Sequence, residues 1–461
     1  MAAQQQQDHT NRLPDHLLLQ ILHGLGCART AARASLVSGR WRGLWAELRE
    51  IRLFGVSPGS CYDALGKLEA ALVAGVRASR LDVLHVEPFI RGASRRRAAS
   101  LLRRAARLAP VELKLALFSE PPISRQLVRL PCFGSTKSID LRLLGFQLVP
   151  PPEGELFLEL ERLALRGCVF DPSALLPRCP RLRVLEIGPE AELAATTTAV
   201  SLPLLEELSI AVSDQASRLH VEAPVLKHLS LSNHIEDVSV SAPNLEKLTL
   251  DCAKNVNRLE LGNMSSLREV VLVGIHRLAL NDRLRMGTGV DNFLQQLPDL
   301  RVLSIIVSLA PRLPRNLPND WLETLPRTSV LMLELKTDGH VFAATVLHLL
   351  EKVKGIQELT VILDPPKLGG ECSQDCSCHH HREWSIEDFS LPILRKVEIK
   401  GFNGANCAFH VLVNLLSAAE MLEQVTVTLC DKDPTSNERL KHQLLDIFTS
   451  YPTVEYHVVN A

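Results

Sequence analysis

The sequence predicts an α/β chain that opens with short helices and continues as a long solenoid of parallel strands. The main observation is an L-x-x-L-x-L frame whose first six copies start 22, 23, 21, 19 and 22 residues apart. Composition agrees, because hydrophobic residues make up 46% of the 461 residues while aromatic residues reach only 4%. A repeat of this length cannot bury its own apolar face, so neighbouring repeats must stack to form the core.

The opening stretch has the pattern of three short helices. The first helix is indicated by apolar residues at helical spacing, namely Leu17, Leu18, Ile21, Leu22 and Leu25. Gly24 and Gly26 are expected to end it. A second helix is predicted over about residues 27–37, and a third turn contains Trp41, Leu44 and Trp45.

This stretch resembles the F-box. The family's Leu-Pro falls on Leu13-Pro14 and its Val-Ser-x-x-Trp signature on Val37, Ser38 and Trp41. The resemblance implies an F-box over residues 8–48 that binds a Skp-family adaptor and, through it, a cullin-RING scaffold. The implied adaptor contacts are Leu13, Pro14, Leu18, Ile21, Leu22, Val37 and Trp41. A plain amphipathic three-helix cap on the next domain remains the alternative.

An arginine-rich helix is predicted from Ser94 to Leu108, after a helix over Cys61–Ala78 and a strand over Leu81–Val86. Apolar residues recur at i, i+3, i+4 and i+7 on one face, and six arginines occupy the other. Two interpretations stay open, a basic patch for nucleic acid or nuclear import and the solvated face of a repeat helix. No aromatic residue is interleaved to stack on bases, which favours the second.

The recurring frame resembles leucine-rich repeats, and the predicted solenoid covers residues 49–340. The six regular copies start at Leu160, Leu182, Leu205, Leu226, Leu245 and Leu267, and looser copies start at Leu300, Ile356 and Leu394. Short alternating segments lie between the middle copies, at 219–221, 238–240, 259–261 and 278–280. We therefore expect the middle repeats to return by a second strand after Ala-Pro turns at Ala223-Pro224 and Ala242-Pro243, with helices on the return side only near both ends.

Side chains between the inward leucines of each strand should point outward. We expect Leu208, Leu229, Leu248 and Leu250 to face inward. The predicted target-binding patch consists of the outward residues Glu207, Ser209, His228, Ser230, Lys247, Thr249 and Glu269, with Val271 beside them.

The C-terminal region, residues 341–461, resembles the FBD domain of plant proteins. The resemblance rests on a strand over Leu391–Ile399 that leads into Gly401-Phe402-Asn403-Gly404, followed by a helix over Leu412–Leu422 and a strand over Glu423–Leu429. Where the family continues with acidic residues, Cys407 and its neighbours follow here, so a function tied to those acids does not carry over. The combined order resembles plant F-box/leucine-rich-repeat proteins with an FBD domain.

Charge, cysteine content and the common catalytic motifs indicate which partners, location and cofactors to expect. A net charge of −1 gives no pull towards nucleic acid or an anionic membrane, and we expect neither as a partner. The opening lacks a leader pattern and the 11 cysteines fit reduced thiols, so a soluble cytoplasmic or nuclear protein is expected. The common catalytic motifs are missing and no cofactor is predicted.

One cysteine and histidine cluster lies between Cys372 and His381. Its adjacent ligands fit one tetrahedral zinc ion poorly, and an exposed polar loop is the favoured interpretation over a metal site. The resemblance to F-box proteins implies a non-catalytic substrate receptor of an SCF ubiquitin ligase that binds an unidentified target protein, and this is the predicted function. A repeat-based binding scaffold without ligase assembly is the alternative, and an enzyme that uses this cluster is a third, less supported class.

Overall fold

A computed structural model of the protein describes most of the chain. The described residues are 13–24, 44, 48–54, 65–66, 69–70, 81–87, 93–119, 125–194, 197–212, 218–233, 237–251, 258–275, 293–297, 299–308, 325–337, 342–364, 390–430 and 434–460. The chain folds into two compact units, Met1–Leu226 and Lys227–Ala461. The second predicted F-box helix, residues 278–280 and the Cys372–His381 cluster lie outside the described residues.

In the first unit, parallel strands form the principal sheet in the order β1-β2-β3-β5-β6-β7-β9, with β4 beside the end of β5. The strands are β1 Glu50–Phe54, β2 Val83–Glu87, β3 Glu112–Phe118, β4 Gln126–Arg129, β5 Ser138–Val149, β6 Arg162–Phe170, β7 Val184–Leu193, β8 Thr197–Ser201, β9 Glu207–Val212 and β10 Arg218–Glu222. The helices are α1 Asp15–Gly24, α2 Arg95–Leu108 and α3 Pro172–Leu175. Strands β8 and β10 pair in parallel on the return side.

The second unit repeats this plan, with parallel strands in the order β11-β13-β15-β16-β17-β18-β19-β20-β21. Its strands are β11 His228–Asn233, β12 Asp237–Ser241, β13 Lys247–Asp251, β14 Arg258–Leu261, β15 Glu269–Ile275, β16 Leu300–Ser308, β17 Thr328–Lys336, β18 Glu358–Leu363, β19 Lys396–Phe402, β20 Gln424–Leu429 and β21 Glu455–Asn460. The helices are α4 Ala343–Lys352, α5 Asn406–Ala418 and α6 Pro434–Phe448. The predicted fold class, a parallel-strand solenoid with mixed returns, is confirmed.

Many successive strands are joined through one backbone carbonyl that lies just before the earlier strand. In the second unit, the N–H groups of Glu246 and Lys247 both donate to the Lys227 carbonyl, at 2.9 and 3.0 Å. In the first unit, the N–H groups of Glu161 and Arg162 donate in the same way to Lys137, at 2.8 and 3.0 Å. This main-chain junction holds successive strands in one register, so the inward positions line up into a continuous core.

The return side changes along the chain as predicted, except that the short helix α3 lies between β6 and β7, inside the regular repeats. Strands β12 and β14 pair in parallel, and the helices α2, α4, α5 and α6 lie towards the ends of the described chain. The two Ala-Pro turns are also confirmed, because Leu226 donates to the Ala223 carbonyl and Leu245 to the Ala242 carbonyl, both at 3.1 Å. The parallel strand β8 at Thr197–Ser201 was not predicted.

Two predicted boundaries near the C-terminus are wrong. The predicted strand over Leu391–Ile399 begins only at Lys396, because Pro392 has no N–H for the ladder and Leu394 instead donates to the Leu391 carbonyl at 3.2 Å. The predicted helix over Leu412–Leu422 is α5, which begins six residues earlier and ends at Ala418. The Asn403 side chain sets its start by accepting from the Ala405 N–H at 2.9 Å.

Candidate protein-binding surfaces

Helix α1 carries the predicted start of the adaptor contact. It begins after Pro14, whose carbonyl accepts from the N–H groups of Leu17 and Leu18 at 3.0 and 3.2 Å, and it ends at Gly24 as predicted. Asp15 in the first turn complements the positive end of the helix dipole. Pro14 is exposed and Leu13 is half-buried, so both have surface available to a partner.

The other predicted adaptor contacts fall into three groups: a buried residue, residues of α1, and residues outside the described part of the chain. Leu18 has no exposed surface, so it is a core residue of the first unit in this chain rather than an open contact. Ile21 and Leu22 belong to α1, whereas Val37 and Trp41 lie outside the described residues. Of the three helices predicted for the F-box, the described residues include the first, α1, and one residue of the third, Leu44, which is helical and buried.

The strand faces alternate as the leucine pattern predicts. Leu208, Leu229, Leu248 and Leu250 are all inward, with no more than 3% of their surface exposed. Strand side chains take opposite faces in turn, so the residues between these leucines face outward. In the first unit, Glu207 is exposed and Ser209 is half-buried on β9.

The other five predicted target residues lie in the second unit, on three neighbouring strands. His228, Lys247 and Glu269 occupy one row of the register, and Lys247 pairs with Glu269 at 2.8 Å. Ser230 and Thr249 occupy the next row and are half-buried. Val271 continues that row but is only 8% exposed, so it does not form part of an open polar patch.

Val271 begins an apolar strip on the outward face of β15 to β18. The strip consists of Val271, Val273, Val302, Ile306, Val330, Met332 and Ile362. All except Val271 are half-buried, so part of each side chain meets solvent. Sequence analysis missed the strip because only the inward residues of these looser repeats were assigned. The signal was present, since many of the outward positions between the inward ones are apolar there, with Ser304, Glu334, Glu358 and Thr360 as the polar ones.

Ion pairs border the apolar strip. Lys247–Glu269 lies at one edge, and Lys400 lies 3.2 Å from Glu398 on the neighbouring strand β19 at the other. A third pair lies within the strip, because Glu334, 3.9 Å from Lys336, stands in register between Ile306 and Ile362. Each pair joins opposite charges, so the border presents polar groups with little net charge. The face is therefore mainly apolar, with Ser304, Glu334 and Thr360 between the apolar residues and ion pairs at its edges. Such a mixed face is typical of protein-binding surfaces.

The outward face of the first unit is polar by contrast. Arg166 on β6 donates to Asp140 at 3.0 Å and to Glu186 at 2.6 Å, bridging the two adjacent strands. The hydrogen bond with Glu186 raises the pKa of Arg166, which keeps the guanidinium charged. On β2, burial lowers the pKa of His85, whose ring meets the edge of Phe54 with 4.5 Å between centroids.

Metal and nucleophile chemistry finds little support in the described part of the chain. No group of three or more histidine, cysteine, aspartate or glutamate side chains among the described residues could hold a metal ion. Burial raises the pKa of Cys168 and of Cys179 to about 12, so both thiols stay protonated at neutral pH.

The Gly-Phe-Asn-Gly segment, which comprises the last two residues of β19 and the two after it, makes close packing contacts. Gly401 has a φ of +74°, and a Cβ there would lie 2.3 Å from the Leu363 carbonyl oxygen on β18. Phe402 has no exposed surface, and Gly404, with a φ of +70°, packs against Leu440 of α6. The segment thus leads from β19 to α5 with one close contact to the β18 backbone, one to the Leu440 side chain, and its aromatic ring in the core.

Comparison with known proteins agrees with the motifs. A putative F-box/FBD/LRR-repeat protein of Arabidopsis thaliana is 24% identical over 350 residues, covering 71% of this chain and 73% of its own length. An F-box protein of Arabidopsis thaliana is 26% identical, covering 57% of this chain and 64% of its own length. The chain is similar to plant F-box proteins. No family model matches it.

A third relative, from Oryza sativa subsp. japonica, is named MEIOTIC F-BOX protein MOF. It is 26% identical over 301 residues, covering 60% of this chain and 62% of its own length. The first relative's name contains the three parts that the motifs of this F-box-like chain predict: F-box, FBD and leucine-rich repeat. In the described part of the chain, no helix is long and apolar enough to cross a membrane.

Proposed function

We propose that this chain is the substrate-recognition subunit of an SCF-type cullin-RING ubiquitin ligase. The observation that carries the proposal is the order of parts: F-box motif residues precede a parallel-strand solenoid, in a chain similar to proteins named for the F-box. In this proposal residues 8–48 form the F-box, 49–340 the repeats and 341–461 the FBD region. The chain contributes binding rather than catalysis and acts in the cytoplasm, the nucleus or both.

The adaptor contact is proposed for Leu13, Pro14, Ile21, Leu22, Val37 and Trp41. Leu13 and Pro14 support it, because they retain exposed surface at the start of α1. Leu18 is wholly buried, so in this proposal its role is to hold α1 in place rather than to present an open surface. A short helical segment has little core of its own, so covering its apolar residues with a partner stabilises it.

Adaptor binding is tested by co-purification of a Skp-family adaptor with the full chain. The variant Leu13→Ala/Pro14→Ala/Trp41→Ala should lose the adaptor, because truncating one interface tryptophan alone removes about 3 kcal/mol or more at a hot spot. The matched control is Leu156→Ala/Leu158→Ala/Leu204→Ala, which truncates leucines that are 40%, 54% and 47% exposed elsewhere in the first unit. Equal recovery of adaptor with both variants would contradict the F-box assignment and leave a repeat scaffold without ligase assembly.

Target binding is proposed for the outward strand faces. In the second unit the apolar strip supplies buried area, while the ion-paired border, with Lys247 and Glu269, supplies polar contacts. Glu207 and Ser209 are proposed contacts in the first unit. A partly exposed apolar face suits a protein segment, because association is driven mainly by removing apolar surface from water.

Two variants separate the apolar strip from the predicted polar patch. One changes Val330→Ser, Met332→Gln and Ile362→Thr, and the other changes His228→Glu, Lys247→Glu and Glu269→Lys. Proteins ubiquitinated by the assembled ligase are compared for both variants and the parent under proteasome inhibition. Loss of the parent's targets with the first variant would locate the target on the strip. An unchanged set with both variants, which must still bind the adaptor, would refute target binding by this face.

A further inference from the structure

Helix α2 presents two opposite faces. Ala98, Leu101, Leu102, Ala105 and Leu108 are buried, with no more than 5% of their surface exposed. The face opposite to them contains arginines at helical spacing, and Arg96, Arg97 and Arg103 are all exposed. We call these three residues the arginine patch. The apolar stripe holds the helix in place, so the arginines are not needed for packing.

The two ends of this basic face differ in charge balance. Towards the C-terminus, Glu69 lies 3.6 Å from Arg104 and 2.5 Å from Arg107. For the arginine patch, no carboxylate among the described residues lies within 4.0 Å of a guanidinium nitrogen. The charges of Arg96 and Arg97 in the first turn of α2, and of Arg103 farther along it, are therefore not neutralised by a carboxylate in the described part of the chain.

Arg96 and Arg97 lie in the first turn of α2, where their positive charges are unfavourable for the helix itself. The first turn of α2 contains no acidic residue, and the Ser94 side chain makes no capping hydrogen bond. Cations at a helix N-terminus oppose the dipole, where anions are favoured. Arg96 and Arg97 therefore do not serve helix stability, and a bound anionic group would offset both the dipole and the charge repulsion.

We propose that the arginine patch binds an acidic protein segment. Guanidinium groups hold carboxylates through paired, charge-assisted hydrogen bonds. Arg96 and Arg103 stand two helical turns apart, about 10 Å along the axis. Carboxylates three residues apart on a polyproline II segment share one side at about that spacing, roughly 9 Å.

Nucleic acid fits the patch less well. Helix α2 contains no aromatic side chain on which a base could stack. The whole chain has a net charge of −1, so it supplies no long-range attraction for a polyanion. The proposed binding is local and does not depend on adaptor binding, so the two proposals can fail separately.

The test uses the purified full chain and a fluorescent peptide with glutamate at every third position. The same peptide with glutamine at those positions and a single-stranded oligonucleotide of equal net charge serve as comparison probes. The variant Arg96→Gln/Arg97→Gln/Arg103→Gln removes the patch with good helix formers. The control Arg181→Gln/Arg183→Gln/Arg218→Gln removes the same charge from exposed positions elsewhere in the first unit.

Binding is followed by fluorescence anisotropy at low and high salt. We expect the glutamate peptide to bind the parent and the control equally and the patch variant about tenfold or more weakly, with affinity that falls as salt rises. The glutamine peptide should not bind. Equal binding to parent and patch variant, an equal loss in the control, or no binding to the parent would overturn the proposal. Tighter binding of the oligonucleotide than of the glutamate peptide would also overturn it and make nucleic acid the partner.

Discussion

Replacing Gly401 with alanine should destabilise the second unit strongly. Two effects add at this position, because the φ of +74° disfavours any side chain and the new Cβ would meet the Leu363 carbonyl oxygen at 2.3 Å. The left-handed conformation costs about 1–2 kcal/mol for a residue with a Cβ. Moving one strand away from the other to relieve the overlap costs about a further 1–3 kcal/mol, as in overpacked cores.

Two other glycines of the second unit separate these effects. Gly355 has a φ of +90° but its nearest atom, the Thr328 carbonyl oxygen, would be 3.4 Å from a Cβ, so Gly355→Ala should show the conformational cost alone. At Gly262 the nearest atom is 4.0 Å away and φ is not in the left-handed region, so Gly262→Ala should change the free energy of unfolding by no more than about 0.5 kcal/mol.

The three alanine variants are compared by thermal and urea unfolding. The expected losses rank Gly401 above Gly355 and Gly355 above Gly262, with about 2–5 kcal/mol for Gly401. For a unit of this size each kcal/mol lowers the melting temperature by about 2–4 °C. Equal melting of the Gly401 and Gly355 variants would show that the contact with Leu363 does not constrain the junction.

Three further predictions concern burial. Leu248→Ala should lower the free energy of unfolding, measured in urea, by about 2–5 kcal/mol because Leu248 is 0% exposed. Thr249→Ala, at the outward neighbour, should change that free energy little, and equal effects of the two substitutions would contradict the assigned register. Burial lowers the pKa of His85 from its ordinary value, so the free energy of unfolding should fall as the pH drops below about 6.5 and the unfolded chain binds the proton more readily. His85→Gln should reduce the difference in the free energy of unfolding between about pH 5 and pH 8. Iodoacetamide should label the half-buried Cys132 before Cys168, whose pKa burial raises to about 12, and mass spectrometry of the folded protein checks that order.

The regular repeats were predictable because one physical rule, alternation across a strand, assigns every side chain. It placed Leu229 and Leu248 inward, and helical periodicity placed Ala98 and Leu101 on the buried face of α2. Both rules depend only on local spacing, so no knowledge of distant contacts was needed.

The predicted solenoid began at residue 49 and included a strand over Leu81–Val86, but the copies of the frame before Leu160 were not identified because the frame was read too strictly as leucine. Strands β1, β2, β3 and β5 belong to the same parallel series, but their frames begin with Leu48, Leu81, Pro110 and Thr136 and use Ile or Val at some inner positions. The first position requires burial rather than leucine. Thr136 meets that requirement with 0% exposure because its hydroxyl donates to the Pro110 carbonyl at 2.7 Å.

The candidate surfaces were predicted less completely, because exposure on a sheet face depends on the neighbouring strands as well as on the residue's own strand. Alternation shows which side chains face outward, but Val271 has only 8% of its surface exposed because neighbouring side chains cover it, and a single strand does not reveal such neighbours. The apolar strip depends on the register of four strands separated by long connections. Leu18 has the spacing of a contact residue, yet the structure gives it a place in the core.

The doubly accepting carbonyls between repeats have a consequence for how such chains diversify. The Lys227, Glu246 and Gln357 carbonyls each accept two N–H groups, from the first residue of the neighbouring strand and from the residue before it, although their side chains differ in charge. Because these hydrogen bonds involve only main-chain atoms, duplication or deletion of a whole repeat would form the same hydrogen bonds at the new boundary. Related chains can therefore gain or lose repeats by a single genetic event and acquire a longer or shorter outward face without first evolving a new interface.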